Sequence, residues 1–154
     1  MAIREIVTEG YESLSKISKP VTVFDSRLKT LVRDMTDTLK KADGVGLAAP
    51  QIGVLKRVVI VYDEQTEKYI EMVNPEITET SGVQNKNEGC LSVPHVWGRT
   101  ERPAVVTVKA QDVNGKEFSM TREGITAVCF CHEIDHLNGI LFREHVIEYL
   151  EEKE

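Results

Sequence analysis

One stretch of this chain limits its possible folds more than any other. It is a run of about a dozen residues that is apolar on nearly every side and also carries two histidines, His132 and His136. Apolar residues recur at helical spacing over 122–138, with Thr121 placed to cap the start and Gly139 to stop it. At 100° per residue, Ile125, Val128, Cys129, His132 and His136 share one face, while Phe130, Ile134 and Leu137 lie opposite. A helix without a polar face is buried. In a chain of 154 residues the remaining segments must enclose it. The expected architecture is therefore α+β, with antiparallel strands packed around a central buried helix.

The rest of the chain offers material for such a shell. Residues 25–42 read as an amphipathic helix, with Leu28, Leu31, Val32, Met35 and Leu39 on one stripe, Asp25 or Ser26 as cap and Gly44 as stop. The β-branched run Val58-Val59-Ile60-Val61-Tyr62 predicts a buried strand, paired with 70–73 across a polar turn at 63–68. Residues 105–113 alternate loosely and lead through Asn114-Gly115, a strong hairpin signal, into 117–120. The charged stretch 145–154 reads as a short surface helix. No repeat, low-complexity tract or Pro/Gly/Ser-rich linker interrupts the sequence, so one domain over residues 1–154 is expected.

Composition removes several classes of function. The formal charge of −6, with lysines and arginines scattered, argues against DNA or RNA as a partner, because phosphate binding needs a clustered basic excess. No apolar run approaches a membrane span, and residues 1–7 lack the long apolar stretch of a secretory signal. A cytoplasmic protein is the expectation. Three cysteines, Cys90, Cys129 and Cys131, do not make a disulfide framework. Cys129 and Cys131, two apart on a helix, point to different sides.

His132-Glu133-Ile134-Asp135-His136 is the strongest chemical signal. Histidines four apart on a helix lie one above the other and can bind a single metal ion. Glu133, on the flank of that face, reaches a water on the metal rather than the metal itself, the arrangement used in metal-assisted hydrolysis. Two buried histidines satisfied by hydrogen bonds are the plain alternative, and the pentad within an apolar helix weighs against it. A catalytic ion normally wants a third protein ligand and an open position. Cys90, in Asn87-Glu88-Gly89-Cys90-Leu91-Ser92-Val93-Pro94, is the natural choice, with Gly89 permitting close backbone approach and Pro94 ending the segment. A third element, Asp43-Gly44-Val45-Gly46-Leu47-Ala48-Ala49-Pro50-Gln51-Ile52-Gly53, is glycine-rich but lacks the Lys-Ser/Thr ending and preceding strand of a phosphate loop. Its small residues would let backbone lie against a ligand, with Gln51 offering both donor and acceptor. A turn packed on the core is the competing reading of that element.

Taken together, the three segments resemble the peptide deformylase family. Its signatures Gly-x-Gly-x-Ala-Ala-x-Gln, Glu-Gly-Cys-Leu-Ser and His-Glu-x-x-His all occur without gaps, and the similarity runs over most of the chain. The resemblance implies removal of the N-formyl group from formyl-methionyl nascent peptides, by a monomer acting at the ribosome. It implies that Cys90, His132 and His136 hold one divalent ion, ferrous iron in the cell, with Zn2+, Ni2+ or Co2+ able to substitute. Glu133 would be the general acid/base, and the Gln51 side chain and Leu91 backbone N–H would hold the formyl oxygen. Val45, Gly46 and Gly89 would lie along the substrate backbone. Ile125, Val128 and Cys129 would line the methionine pocket.

The sequence departs from the family pattern in three places. Gly10-Tyr11-Glu12-Ser13-Leu14-Ser15 stands where Gly-Asp/Asn-Pro-x-Leu-Arg is usual. Cys131 stands where Gln is common, and Trp97 falls near the expected substrate rim. Two other functions share parts of the pattern. A zinc endopeptidase would need a different third ligand, for which His145 is the only downstream histidine. A non-catalytic metal protein would have no use for Glu133 beside an open position.

Overall fold

A computed structural model describes residues 2–150 of the chain. Helix α1 (Ser26–Ala42) is followed by β1 (Gly46–Ala48), β2 (Val58–Asp63) and β3 (Lys68–Ser81). Strands β4 (Gln84–Cys90), β5 (Val93–Arg102), β6 (Val105–Gln111) and β7 (Glu117–Glu123) lead into helix α2 (Gly124–Leu137). Strand β8 (Val146–Tyr149) comes last. A five-stranded sheet has the order β1-β2-β3-β6-β7 and a three-stranded sheet the order β4-β5-β8. All pairings within these sheets are antiparallel.

The run 58–62 is apolar at consecutive positions because β2 is covered on both faces. Val58 and Ile60 join Leu31, Val32, Met35 and Leu39 of α1 in one core, whereas Val59 and Val61 join Phe130, Ile134 and Leu137 of α2 in the other. Helix α2 touches every strand of the larger sheet and also β4. The α+β fold with a central buried helix is thus what forms. Phe130, Leu137 and His136 are fully buried. Each large apolar side chain taken from water contributes roughly 1.5–3 kcal/mol, so the enclosed helix is held by packing.

Several boundaries differ from the sequence reading. Helix α2 starts at Gly124 rather than 122, because Arg122 and Glu123 pair with Val106 and Val105 as the end of β7. Gly124, at φ +64°, lets the chain turn from strand into helix at once, and Thr121 is not a cap. Helix α1 is capped by Asp25, whose carboxylate accepts from Leu28 N at 3.1 Å. Its left-handed terminus is Asp43 (φ 55°) instead of Gly44. Pro94 does not end the cysteine segment, since it lies inside β5. The C-terminal segment is a 3₁₀ turn, Phe142–His145, followed by β8 on the edge of the smaller sheet, and not a surface helix. Residues 151–154 of that segment lie outside the described residues.

Candidate active site

Cys90 ends β4, while His132 and His136 stand one turn apart on α2. Their ligand atoms all lie within 4.8 Å of one another, the one such group among the described residues. Cys90 Sγ is 3.3 Å from His136 Nε2. His145, the alternative third ligand, is directed elsewhere, with its Nε2 3.1 Å from Asp135 Oδ2. Soft thiolate plus imidazoles make a donor set suited to a transition-metal ion, and the spacing fits one ion held by all three residues.

A residue without an assigned role in the sequence reading controls the orientation of His132. Glu88 Oε1 lies 2.9 Å from His132 Nδ1. The same carboxylate is gripped by Arg102 through Nε (2.8 Å) and Nη2 (3.0 Å) and accepts from Thr100 Oγ1. Burial alone would raise its pKa. The hydrogen bonds from His132 and Arg102 and the guanidinium charge overcome this and hold it at about 2. An ionised carboxylate only accepts, so Nδ1 carries the proton. With an ion bound, Nε2 would offer its lone pair as a ligand, the arrangement that fixes a metal-binding imidazole. Without one, burial opposes the charged ring, but Glu133, Cys90 and Glu88 outweigh it and hold His132 well above the usual imidazole range. Arg102 also bonds Asp135 Oδ2 at 2.8 Å, which ties β5 to α2 beneath the site. The inward alternation of Gly98, Thr100 and Arg102 along β5 exists only in the folded strand and leaves no apolar pattern in the sequence. A buried arginine in an unrecognised strand does not announce itself.

Glu133 is buried beside this cluster, with Oε2 4.0 Å from His132 Nε2 and Oε1 lacking a hydrogen-bond partner among the described residues. A buried carboxylate oxygen without a partner calls for a donor such as water. Burial pushes the Glu133 carboxyl up to about 7, against the pull of His132 and with the help of Glu88. That is the range in which a group both takes and returns protons at neutral pH.

Gln51 is buried in the 3₁₀ turn Ala49–Ile52. Its Oε1 accepts from Ala48 N at 2.9 Å, so Nε2 faces the cluster, donating to Ser92 Oγ at 3.1 Å with Cys90 Sγ 3.5 Å away. The glycines of the neighbouring segment answer to the chain itself. A Cβ on Gly44 would stand 2.9 Å from Leu39 Cδ1 and 3.0 Å from Leu91 Cδ1, and one on Gly46 would press into Glu133.

One cavity of about 530 Å³ joins these parts. Val45, Gly46, Gln51, Gly89, Cys90, Leu91, Ile125, Val128, Cys129, His132 and Glu133, eleven of the twelve residues expected at the site, line it. The twelfth, His136, is fully buried behind Cys90. Cys129 is a free thiol whose pKa burial and the charges of Glu133 and Glu88 push well above the usual range. It is therefore a neutral wall. Cys131, free as well, lies in the apolar core.

A buried helix carrying two histidines and a carboxylate, closed by a cysteine from a neighbouring sheet, defines an α+β hydrolase with a transition-metal donor set. Comparison with known proteins makes this specific. The polypeptide deformylase family matches residues 3–152, and the chain belongs to that family. It is 54% identical to a peptide deformylase of Caldicellulosiruptor bescii over 154 residues, all of this chain and 92% of the relative. It is 46% identical to peptide deformylase 1 of Bacillus subtilis over 154 residues, all of this chain and 96% of the relative. A crystal structure of a peptide deformylase from Legionella pneumophila superposes with a TM-score of 0.90 at 49% identity, covering 94% of this chain and 86% of that one. The peptide deformylase from Synechococcus elongatus in complex with actinonin gives 0.88 at 37%, covering 93% and 78%. Membership implies a hydrolase that removes the N-formyl group from nascent peptides.

Proposed function

We propose that this chain is a metal-dependent deformylase in which Cys90, His132 and His136 hold one divalent ion, ferrous iron in the cell. Zn2+, Ni2+ or Co2+ would be able to substitute. The observation that carries the reading is the convergence of the Cys90/His132/His136 cluster with Glu133 and the Gln51 amide on one cavity. When bound, the ion would supply Lewis acidity and lower the pKa of the attacking water.

Every other contribution comes from the chain. Glu133 takes a proton from the attacking water and delivers it to the departing amine, releasing formate. Gln51 Nε2 and the Leu91 N–H donate to the formyl oxygen as its charge grows, where fixed donors in a dry site count most. Glu88 holds the His132 ring so that Nε2 stays available. Ile125, Val128 and Cys129 receive the methionine side chain in an apolar wall. Strand β1 has one free edge, and so does β4. An extended formyl-peptide adds between them, with its backbone along Val45, Gly46 and Gly89, as peptides do at exposed sheet edges.

The enzyme acts as a cytoplasmic monomer on formyl-methionyl chains emerging from the ribosome. Among the described residues no helix is long and apolar enough to cross a membrane, which is compatible with that setting. Metal analysis of anaerobically purified protein, followed by a formate-release assay on formyl-Met peptides, tests the whole reading. One ion per chain and release of formate are expected, and C90A should lose both together. Wild-type protein without metal, or C90A with full metal, would overturn the ligand assignment.

A further inference from the structure

We infer that Trp97 is a specificity-determining residue that selects an apolar side chain on the residue immediately after the formyl-methionine. The inference rests on the deformylase reading above and extends it to a position that reading leaves open.

The argument begins with the two faces of the smaller sheet. Along β5, Gly98, Thr100 and Arg102 are buried, the last two on Glu88, so Trp97, out of phase with them in the alternation, points to the opposite, outer face. There the indole lies directly over Gly89. A Cβ on Gly89 would stand 2.9 Å from Trp97 Cε3 and Cζ3 and 3.0 Å from Cη2. The missing side chain thus lets the ring press onto the backbone of β4 beside its free edge. Trp97 is nevertheless 47% exposed and lines the same cavity as the metal cluster. A large aromatic held against backbone but half open to solvent is uncovered apolar surface at the mouth of a site.

The opposite rim matches it. Gly46 faces inward at Glu133, so its neighbour Val45 faces outward, and Val45 is 49% exposed and lines the cavity too. Two apolar side chains, Val45 just ahead of β1 and Trp97 reaching from β5 over Gly89 of β4, therefore flank the outer side of the cleft. A peptide lying extended between the edges alternates its side chains from face to face. If methionine points inward to Ile125, Val128 and Cys129, the next side chain points outward, between Val45 and Trp97. Burial there favours an apolar group, whereas an aspartate or glutamate would lose water and meet no cation.

The test measures kcat/KM for metal-loaded enzyme on formyl-Met-X-Ala peptides, with X as Phe, Leu, Ala, Asp or Glu, beside formyl-Met-Ala-X controls. Wild-type enzyme should favour Phe or Leu over Ala by about 10-fold or more, the scale on which apolar pockets discriminate, and over Asp by a larger factor. W97A should bring the Phe/Ala ratio close to one, while W97F should keep the wild-type order. If W97A fails to fold or to hold metal, W97L is read in its place and should lie between. No preference at X in the wild type, an unchanged ratio in W97A, or a preference only in the control series would overturn the assignment to Trp97. Absence of formate from every peptide would overturn the deformylase reading, and this inference with it.

Discussion

Gly46 is the residue that makes room for the Glu133 carboxylate: a Cβ at that position would stand 2.9 Å from Glu133 Cδ. Strand β1 and helix α2 approach so closely here that no side chain fits between them. G46A should therefore displace Glu133 while leaving Cys90, His132 and His136 untouched. A catalytic group moved by about 1 Å can cost on the order of 10²-fold in rate. Formate release should fall by that order with metal content unchanged. In an E133Q background G46A should cost little more, because the group it displaces is already inactive. Full additivity of the two losses would show that Gly46 acts through something other than Glu133.

E133Q separates binding from chemistry. In the proposed mechanism Glu133 is not a ligand, so the variant should keep its ion. It should nevertheless lose turnover by at least the ~10²–10⁴-fold typical of general acid–base catalysis. Near-wild-type turnover with metal in place would mean that another group moves the proton.

Much of this site could be read in the chain because its parts are local in sequence. The pentad at 132–136 is one helical turn, and helical periodicity alone put Ile125, Val128 and Cys129 on the face of His132. What escaped was long-range. The Arg102–Glu88–His132 connection joins residues 14 and 44 positions apart, through two strands that are mostly polar and show no hydrophobic alternation to mark them. The edge strand β8 was missed for a related reason. Its residues Val146-Ile147-Glu148-Tyr149 have the β-branched and aromatic character of a strand, but charged residues on either side mask so short a run, and its register on β5 is set by tertiary pairing with Gly98, Arg99 and Thr100. The shift of the α2 start from 122 to Gly124 has the same cause, since strand pairing in β7 outcompeted the first turn of helix.

The nature of the donor set leads to a prediction about oxygen. Ferrous iron oxidises in air, and the Cys90 thiolate that would hold it is itself oxidisable. Activity of anaerobically prepared iron enzyme should decay on exposure to air, and enzyme reconstituted with Ni2+ or Co2+ should persist longer. Parallel assays of the metal forms over time provide the comparison. Equal air stability in all of them would remove iron as the labile component.

Glu88 should leave its mark on stability against pH. Its carboxyl titrates near 2 in the folded protein against an ordinary value of 4.5, so the native state binds its proton less readily than the unfolded chain. The resulting stabilisation is fully present above about pH 5 and is lost as pH falls from 4.5 toward 2. Breaking a buried ion pair by removing one partner costs about 3–5 kcal/mol, and in E88Q the Arg102 guanidinium retains only Asp135. Urea unfolding of metal-free wild type and E88Q should therefore show the widest gap above pH 5. Below 4.5 the two curves should converge as the wild-type carboxylate takes up its proton. Metal-free protein is needed because protonation of the histidine ligands would otherwise release the ion within the same experiment. A gap of constant size from pH 7 down to pH 2 would mean that Glu88 contributes by shape and packing, and that its charge on Arg102 and His132 adds nothing to the fold.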